Sequence, residues 1–291
     1  MTTKSVTIHH VETEGPQTRS RVLNTLPLIA LILLLVVMLF PLVMVILNSF
    51  KTEPEYYANG PFALPQSFNL STIIETWKNT DYTTKLINST VISISVAVLA
   101  TVLSLLNAFA LGIGRVHGRT WLLIFFLLAI TLPPESLAYP LYYFFKLVKL
   151  YDTQLSVILV SAAFNSAYGT YLLTSVFSAF NRELLEAALI DGCNKVQVLI
   201  RIVVPLSWPS LSVLFVFFFI WTWNDFFLPL ILLISNSRQT VPVAIAMAQG
   251  EHNAVITTQS AAALLGILPC LLFFFLFQRT MTRGITAGSL K

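Results

Sequence analysis

Long apolar runs almost free of charge constrain this chain more than any other feature. Six are read as spans, at about Leu23–Leu47, Leu86–Ile113, Trp121–Leu147, Leu155–Phe180, Leu206–Ile234 and Ser260–Phe277. Each is long enough for a helix to cross a hydrocarbon core of about 30 Å. With 56% hydrophobic residues, 10% charged residues and a mean hydropathy of +0.79, the composition excludes a soluble globule. The expected fold is all-α: a polytopic membrane protein of six transmembrane helices. One domain covers 22–281, between a polar tail at 1–21 and a second tail at 282–291. Residues 48–84 and 235–257 read as polar loops, and Gly250 reads as a turn. A cleavable signal peptide fits poorly, because the first apolar run is too long and lacks a small-residue cleavage site.

Lysine and arginine set the orientation. With the N-terminus inside, 11 of the 17 fall on the inner side and 6 on the outer side. The short basic turn at 114–119, the stretch at 181–205 and the C-terminal tail are then cytoplasmic. The loops at 48–84 and 235–257 are extracytoplasmic. Cys193 and Cys270 fall in a loop and a span, so no disulfide is expected. Nothing near the cysteines has metal-ligand spacing, and His9-His10, which could bind a metal adventitiously, reads first as part of a disordered tail.

The 181–205 stretch, NRELLEAALIDGCNKVQVLIRIVVP, reads as two amphipathic helices hinged at Gly192. Leu185, Ala188 and Leu189 share a face of the first helix. Val196, Leu199, Ile200 and Val203 recur at helical spacing on the second. Gly192 stands where a helix end needs positive φ. Pro205 is expected to stop the second helix.

The prolines predict broken spans. Pro133-Pro134 and Pro140 interrupt the third, and Pro209 and Pro229 lie in the fifth. Broken helices at membrane depth must face protein or a wet cavity. Two carboxylates fall in these spans: Glu135, and Asp225 after Trp221, Trp223 and Asn224. Asp225 sits roughly 29 Å along its helix, counting from Leu206. Such groups line a solute path or pair with a neighbouring helix, and both readings stand for Asp225. Glu135 is read first as a helix–helix contact. Tyr139, Tyr142 and Tyr143 could stack on a solute or anchor the chain at the membrane interface.

The stretch then carries a resemblance. Glu186-Ala187-Ala188, Gly192, Ile202 and Pro205 stand at the spacing of the E-A-A loop in permease subunits of bacterial ABC importers, with Asp191 before the glycine. Val204 replaces the leucine of that pattern. SFKTEPE, Asn88-Ser89, YDTQLSVIL, WTWNDFFLPL and FQRTMTRGITAGSLK appear in matching order. The chain resembles the shorter, six-span permease of the maltose-type carbohydrate importers, with the type I ABC importer permease fold.

That resemblance implies a coupling role for Glu186, Ala187, Ala188, Asp191, Gly192, Ile202 and Pro205 against an ATP-binding subunit. It implies a path or gate role for Trp221, Asn224, Asp225 and Tyr139, and contact between Gln249, Gly250 and an extracytoplasmic sugar-binding protein. The implied partners are a second homologous permease, two ATP-binding subunits, that binding protein and the bilayer; nucleic acid is not one. The implied cell is bacterial, with both termini cytoplasmic. The chain has no Gly-Lys-Ser/Thr phosphate loop and no nucleophile–base arrangement. It is therefore expected to be non-catalytic and to bind no cofactor, ATP and Mg being used by the partner subunits. An importer of another solute, such as a glycerol phosphate or polyol, remains open. So do an ion-coupled secondary transporter and a membrane scaffold or receptor.

Overall fold

The computed structural model describes residues 20–114, 116–251 and 255–289. Thirteen α-helices are formed among these residues. The long ones are α1 (Ser20–Ser49), α4 (Tyr82–Ala108), α7 (Gln154–Ser178), α10 (Val204–Asn224) and α13 (Ile256–Ser289). The shorter α5 (Arg119–Thr131) and α6 (Ala138–Leu147) follow one another at a 90° bend. Five helices can cross a membrane by length and composition, or six if the bent pair forms one span. The six-span expectation survives with one member broken.

The bundle is built around α4, α7 and α10. On α4 the buried residues Ser89, Ile92, Ser93, Val96, Ala97, Ala100 and Ser104 make one stripe at helical spacing. Most are small. In hydrocarbon, helices gain nothing from hydrophobic burial and associate through close packing, which small residues permit. Gly169 of α7 faces this stripe: a Cβ there would lie 2.2 Å from Ser104 Oγ and 2.8 Å from Ser104 Cβ. By contrast Leu31–Met38 of α1 are all more than half exposed, as expected of a helix whose apolar side meets lipid or another subunit.

Proline chemistry explains both breaks. A residue before proline is driven to extended backbone; Leu132 has ψ 121° and Pro133 has ψ 128°, so α5 ends there. Pro140 was expected to interrupt the span again. It instead sits in the first turn of α6, where no intrahelical N–H is needed. The fifth span breaks at Asp225, not at either of its prolines. In a continuous helix the Pro229 ring would strike the carbonyl four residues earlier, that of Asp225. The chain turns extended at Asp225 (ψ 121°), and Pro229 falls in the first turn of α11 (Phe227–Leu232). Pro269 leaves the Leu265 carbonyl without its helical partner, and the Tyr82 hydroxyl donates to that carbonyl at 2.5 Å, tying α4 to α13.

Three loop expectations are revised. Residues 48–84 contain α2 (Glu53–Asn59) and α3 (Ser71–Asn79). Fully buried Lys51 holds this segment together, donating to Asn48 Oδ1 and to the Gly60 and Pro61 carbonyls at 2.9–3.2 Å. Residues 235–257 contain a tight turn at Asn236–Arg238 and α12 (Val241–Glu251). Gly250 is therefore helical and not a turn, because the apolar start of α12 is docked on the bundle, with Val241 and Val243 fully buried. The backbone of α13 continues as helix to Ser289, so no break separates the last span from the tail at 282. The tail at 1–19, with His9 and His10, lies outside the described residues, as do Arg115, His252 and residues 290–291.

Candidate functional site

The 181–205 stretch forms α8 (Arg182–Ile190) and α9 (Lys195–Val198), joined by a tight turn. Each start is capped. Asn181 accepts from the Glu183 N–H, and Asn194 and Gln197 form a reciprocal capping box. The end of α8 is fixed by Gly192, which has φ +83°. The Gly192 N–H donates to the Leu189 carbonyl at 3.1 Å and the Cys193 N–H to the Ala188 carbonyl at 3.0 Å. These two bonds are the Schellman arrangement, which requires the left-handed backbone that glycine adopts without penalty.

The apolar faces differ from the expected ones. Ala188, Leu199 and Val203 are buried and Leu185 is half-buried, but Leu189, Ile190, Val196 and Ile200 are exposed, Ile190 to 86%. Glu186, Ala187, Asp191 and Gly192 are exposed beside them, and Ile202 is half-buried. Pro205 does not stop the helix. The five residues Leu199–Val203 form a π-turn, and the helical run is unbroken from Lys195 to Asn224. The π register sends the Val204 N–H to the Leu199 carbonyl. That shift of bonding accommodates a proline, which has no N–H to offer. It also separates Val196 and Ile200 from Leu199 and Val203.

The two breaks meet at a cavity of about 370 Å³. It is lined by Pro134 and Glu135 from one break and by Trp221, Asn224 and Asp225 from the other. Ser161 and Asn165 of α7 supply its back wall. Asn165 donates to Thr222 Oγ1 at 3.3 Å, and Asp225 Oδ1 accepts from the Leu228 N–H at 3.4 Å. Ser161 is 5% exposed, and its hydroxyl has no partner among the described residues. An unmet buried hydroxyl costs about 1–3 kcal/mol. Glu135, first read as a helix contact, opens into this cavity. Tyr139 does not line it and is 75% exposed on α6. Among the described residues no cluster of side chains could hold a metal.

A polar clamp that sequence reasoning missed closes one end of the bundle. Asn88 donates to the Ser237 and Gln239 carbonyls and accepts from Gln154; Ser89 Oγ accepts from the Val241 N–H. Lys85 donates to the Asn236 side chain and carbonyl. Asp152 accepts from the Ile234 and Ser235 N–H groups at 3.0 Å and the Ser235 hydroxyl at 2.5 Å, and Arg238 donates to its carbonyl. These partners lie between 66 and 152 residues apart in the chain, so no local pattern announces them. Burial pushes the Asp152 carboxyl up, but the Ser235 hydroxyl and N–H, the Arg238 guanidinium and the Ile234 N–H outweigh it and hold it below the ordinary 3.8. A depressed folded pKa gives stability that is complete above the unfolded value and is lost as pH falls through the folded one. In lipid nanodiscs, Asp152→Asn should lower the thermal midpoint at pH 7. The gap from wild type should close below 3.8; a gap that persists there would refute this role for the carboxylate.

An all-α bundle with a cavity at its interrupted helices and a rigidly capped, apolar helical turn projecting from it defines a membrane transport component. Residues 107–286 match the model of the binding-protein-dependent transport system inner membrane component, and the chain belongs to that family. It is 30% identical over 266 residues to the inner membrane ABC transporter permease protein YcjP of Escherichia coli strain K12, covering 90% of this chain and 94% of that one. It is 29% identical to the trehalose/maltose transport system permease protein MalG of Thermococcus litoralis, covering 91% and 95%. Its fold matches a chain from the crystal structure of a bacterial ABC transporter involved in import of the acidic polysaccharide alginate. There the TM-score is 0.76 at 18% identity, over 92% of this chain and 99% of that one. The chain is thus a non-catalytic, multi-pass inner-membrane permease subunit with the type I ABC importer fold.

Proposed function

We propose that this permease forms half of the translocation path of an ATP-driven sugar importer. It pairs with a second permease, two ATP-binding subunits and an extracytoplasmic binding protein. Both termini and the 181–205 stretch face the cytosol. Glu186 and the Gly192 turn dock on an ATP-binding subunit, where ATP and Mg are used. Trp221, Asn224 and Asp225 lie on the solute path, and the end of α12 with Gln249 and Gly250 approaches the binding protein. The carrying observation is the exposed apolar set Leu189, Ile190, Val196 and Ile200 around a turn whose geometry is fixed by caps. Such a patch on a rigid turn suits a partner groove better than solvent. A sugar cargo is supported by the relative named for trehalose/maltose transport.

Alternating access follows mechanically. Closure of the ATP-binding subunits moves α8 and α9, α10 moves with them, and the cavity at its far end changes sides. The test is retention of the ATP-binding subunits on the purified complex. Ile190→Asp and Ile200→Asp should each weaken it about tenfold or more, with permease pairing intact, since a buried charge at an interface centre removes apolar area and adds desolvation. Retention unchanged in both variants would show that this face does not dock.

A further inference from the structure

The cavity between the breaks has a composition that selects among solutes. Its polar lining includes the Glu135 and Asp225 carboxylates, the Asn165 and Asn224 amides and the unpartnered Ser161 hydroxyl. No Lys, Arg or His is among the lining residues. The Trp221 ring forms one wall, held edge-on by Tyr168 at a centroid distance of 4.9 Å. At about 370 Å³ the space falls within the roughly 300–1,000 Å³ of small-molecule pockets.

Ser161 adds to the polarity of the back wall. Other hydroxyls of the same helix bond back to their own backbone: Ser166 to the Ala163 carbonyl at 2.8 Å, Thr174 to the Thr170 carbonyl at 2.6 Å. Ser161 does not, although it is 5% exposed. Its oxygen is itself covered by its neighbours, so it adds polarity to the back wall from behind the lining.

We propose that this cavity is a solute subsite on this chain that takes uncharged polyhydroxylated molecules and rejects anions. Carboxylates and amide oxygens accept hydrogen bonds from sugar hydroxyls, amide N–H groups donate to sugar oxygens, and the indole face covers the C–H side of a pyranose. An anionic group in the same space meets two carboxylates and no cation from this chain, an unfavourable arrangement. The subsite therefore disfavours phosphorylated and uronic solutes. The proposal rests on the permease reading above.

The test uses the full chain assembled with its partner subunits in membrane vesicles, in a Cys193→Ser/Cys270→Ser background. Asn165→Cys places a thiol on the cavity lining, and Asn224→Cys gives a second reporter if the first does not assemble. The ratio of labelling by trimethylammonium-ethyl methanethiosulfonate to labelling by its sulfonate counterpart should exceed their ratio on a free thiol by about tenfold, and Glu135→Gln/Asp225→Asn should bring it back to the free-thiol ratio. Neutral disaccharides, led by maltose and trehalose, should slow labelling, whereas glucuronate and glycerol 3-phosphate should not. Protection by the anions, no protection by any neutral disaccharide, or a ratio untouched by the double neutralisation overturns the proposal. The permease reading fails separately, through ATP-binding subunit retention in the Ile190 and Ile200 variants. Normal coupling without neutral-sugar protection therefore sinks the subsite alone.

Discussion

Replacing Gly192 by proline is expected to abolish uptake while leaving the membrane bundle folded. Gly192 has φ +83°, and its N–H donates to the Leu189 carbonyl at 3.1 Å. Proline fixes φ near −65° and has no N–H, so neither condition can be met. The Cys193-to-Ala188 bond would go with it. Alanine is the graded control: it keeps the N–H but pays roughly 1–2 kcal/mol for left-handed backbone, enough to lower coupling without removing it. A Cβ at Gly192 would meet nothing within 4 Å, so the effect is conformational and not steric. The measurement is sugar uptake beside ATPase stimulation by binding protein. Uptake in Gly192→Pro at the wild-type rate would remove the turn from the coupling pathway.

A second large effect is expected at the α4–α7 contact. In an exposed helix Gly→Ala stabilises by about 1 kcal/mol through propensity. At Gly169 the added Cβ would lie 2.2 Å from Ser104 Oγ and 2.8 Å from both Ser104 Cβ and Phe218 Cζ. Phe218 is fully buried and Ser104 Oγ already donates to the Ala100 carbonyl, so neither has an empty place to move into. Overpacking of this kind costs about 1–3 kcal/mol, which outweighs propensity. Gly169→Ala should therefore lower the thermal midpoint in nanodiscs, and Gly169→Val should prevent assembly. Ser104→Gly, which removes two of the three clashing atoms, should restore much of the loss in Gly169→Ala. Purely additive effects of the two substitutions would show that the helices are not in contact here.

What the sequence made legible follows its local physics. Apolar runs declared the spans because backbone in hydrocarbon has one helical solution. Gly192 declared its turn because the alternatives at positive φ are few. Pro133-Pro134 declared a break because each proline constrains its predecessor. Other features depend on distant groups and stayed hidden. The break at Asp225 is set by a proline four residues later, and the π-turn that admits Pro205 has no sequence mark. The helix α12 is short, and burial of Val241 and Val243 against the bundle stabilises what propensity alone would leave as loop. The cavity was half legible: Trp221, Asn224 and Asp225 came from their motif, but Ser161 and Asn165 join them only when α7 is packed behind the breaks. Tyr139 was drawn in by its neighbours and lies away from the cavity.

The unbroken helical run from Lys195 to Asn224 gives the molecule a lever arm. Its 30 residues span about 45 Å at 1.5 Å per residue. One end carries the capped turn and the other ends at Asp225, on the cavity wall. A tilt of only about 10° at the base of such an arm displaces its tip by about 8 Å, more than the width of a sugar ring. Had Pro205 ended the helix, a joint would stand between the two, and small rotations below would be absorbed before reaching the cavity.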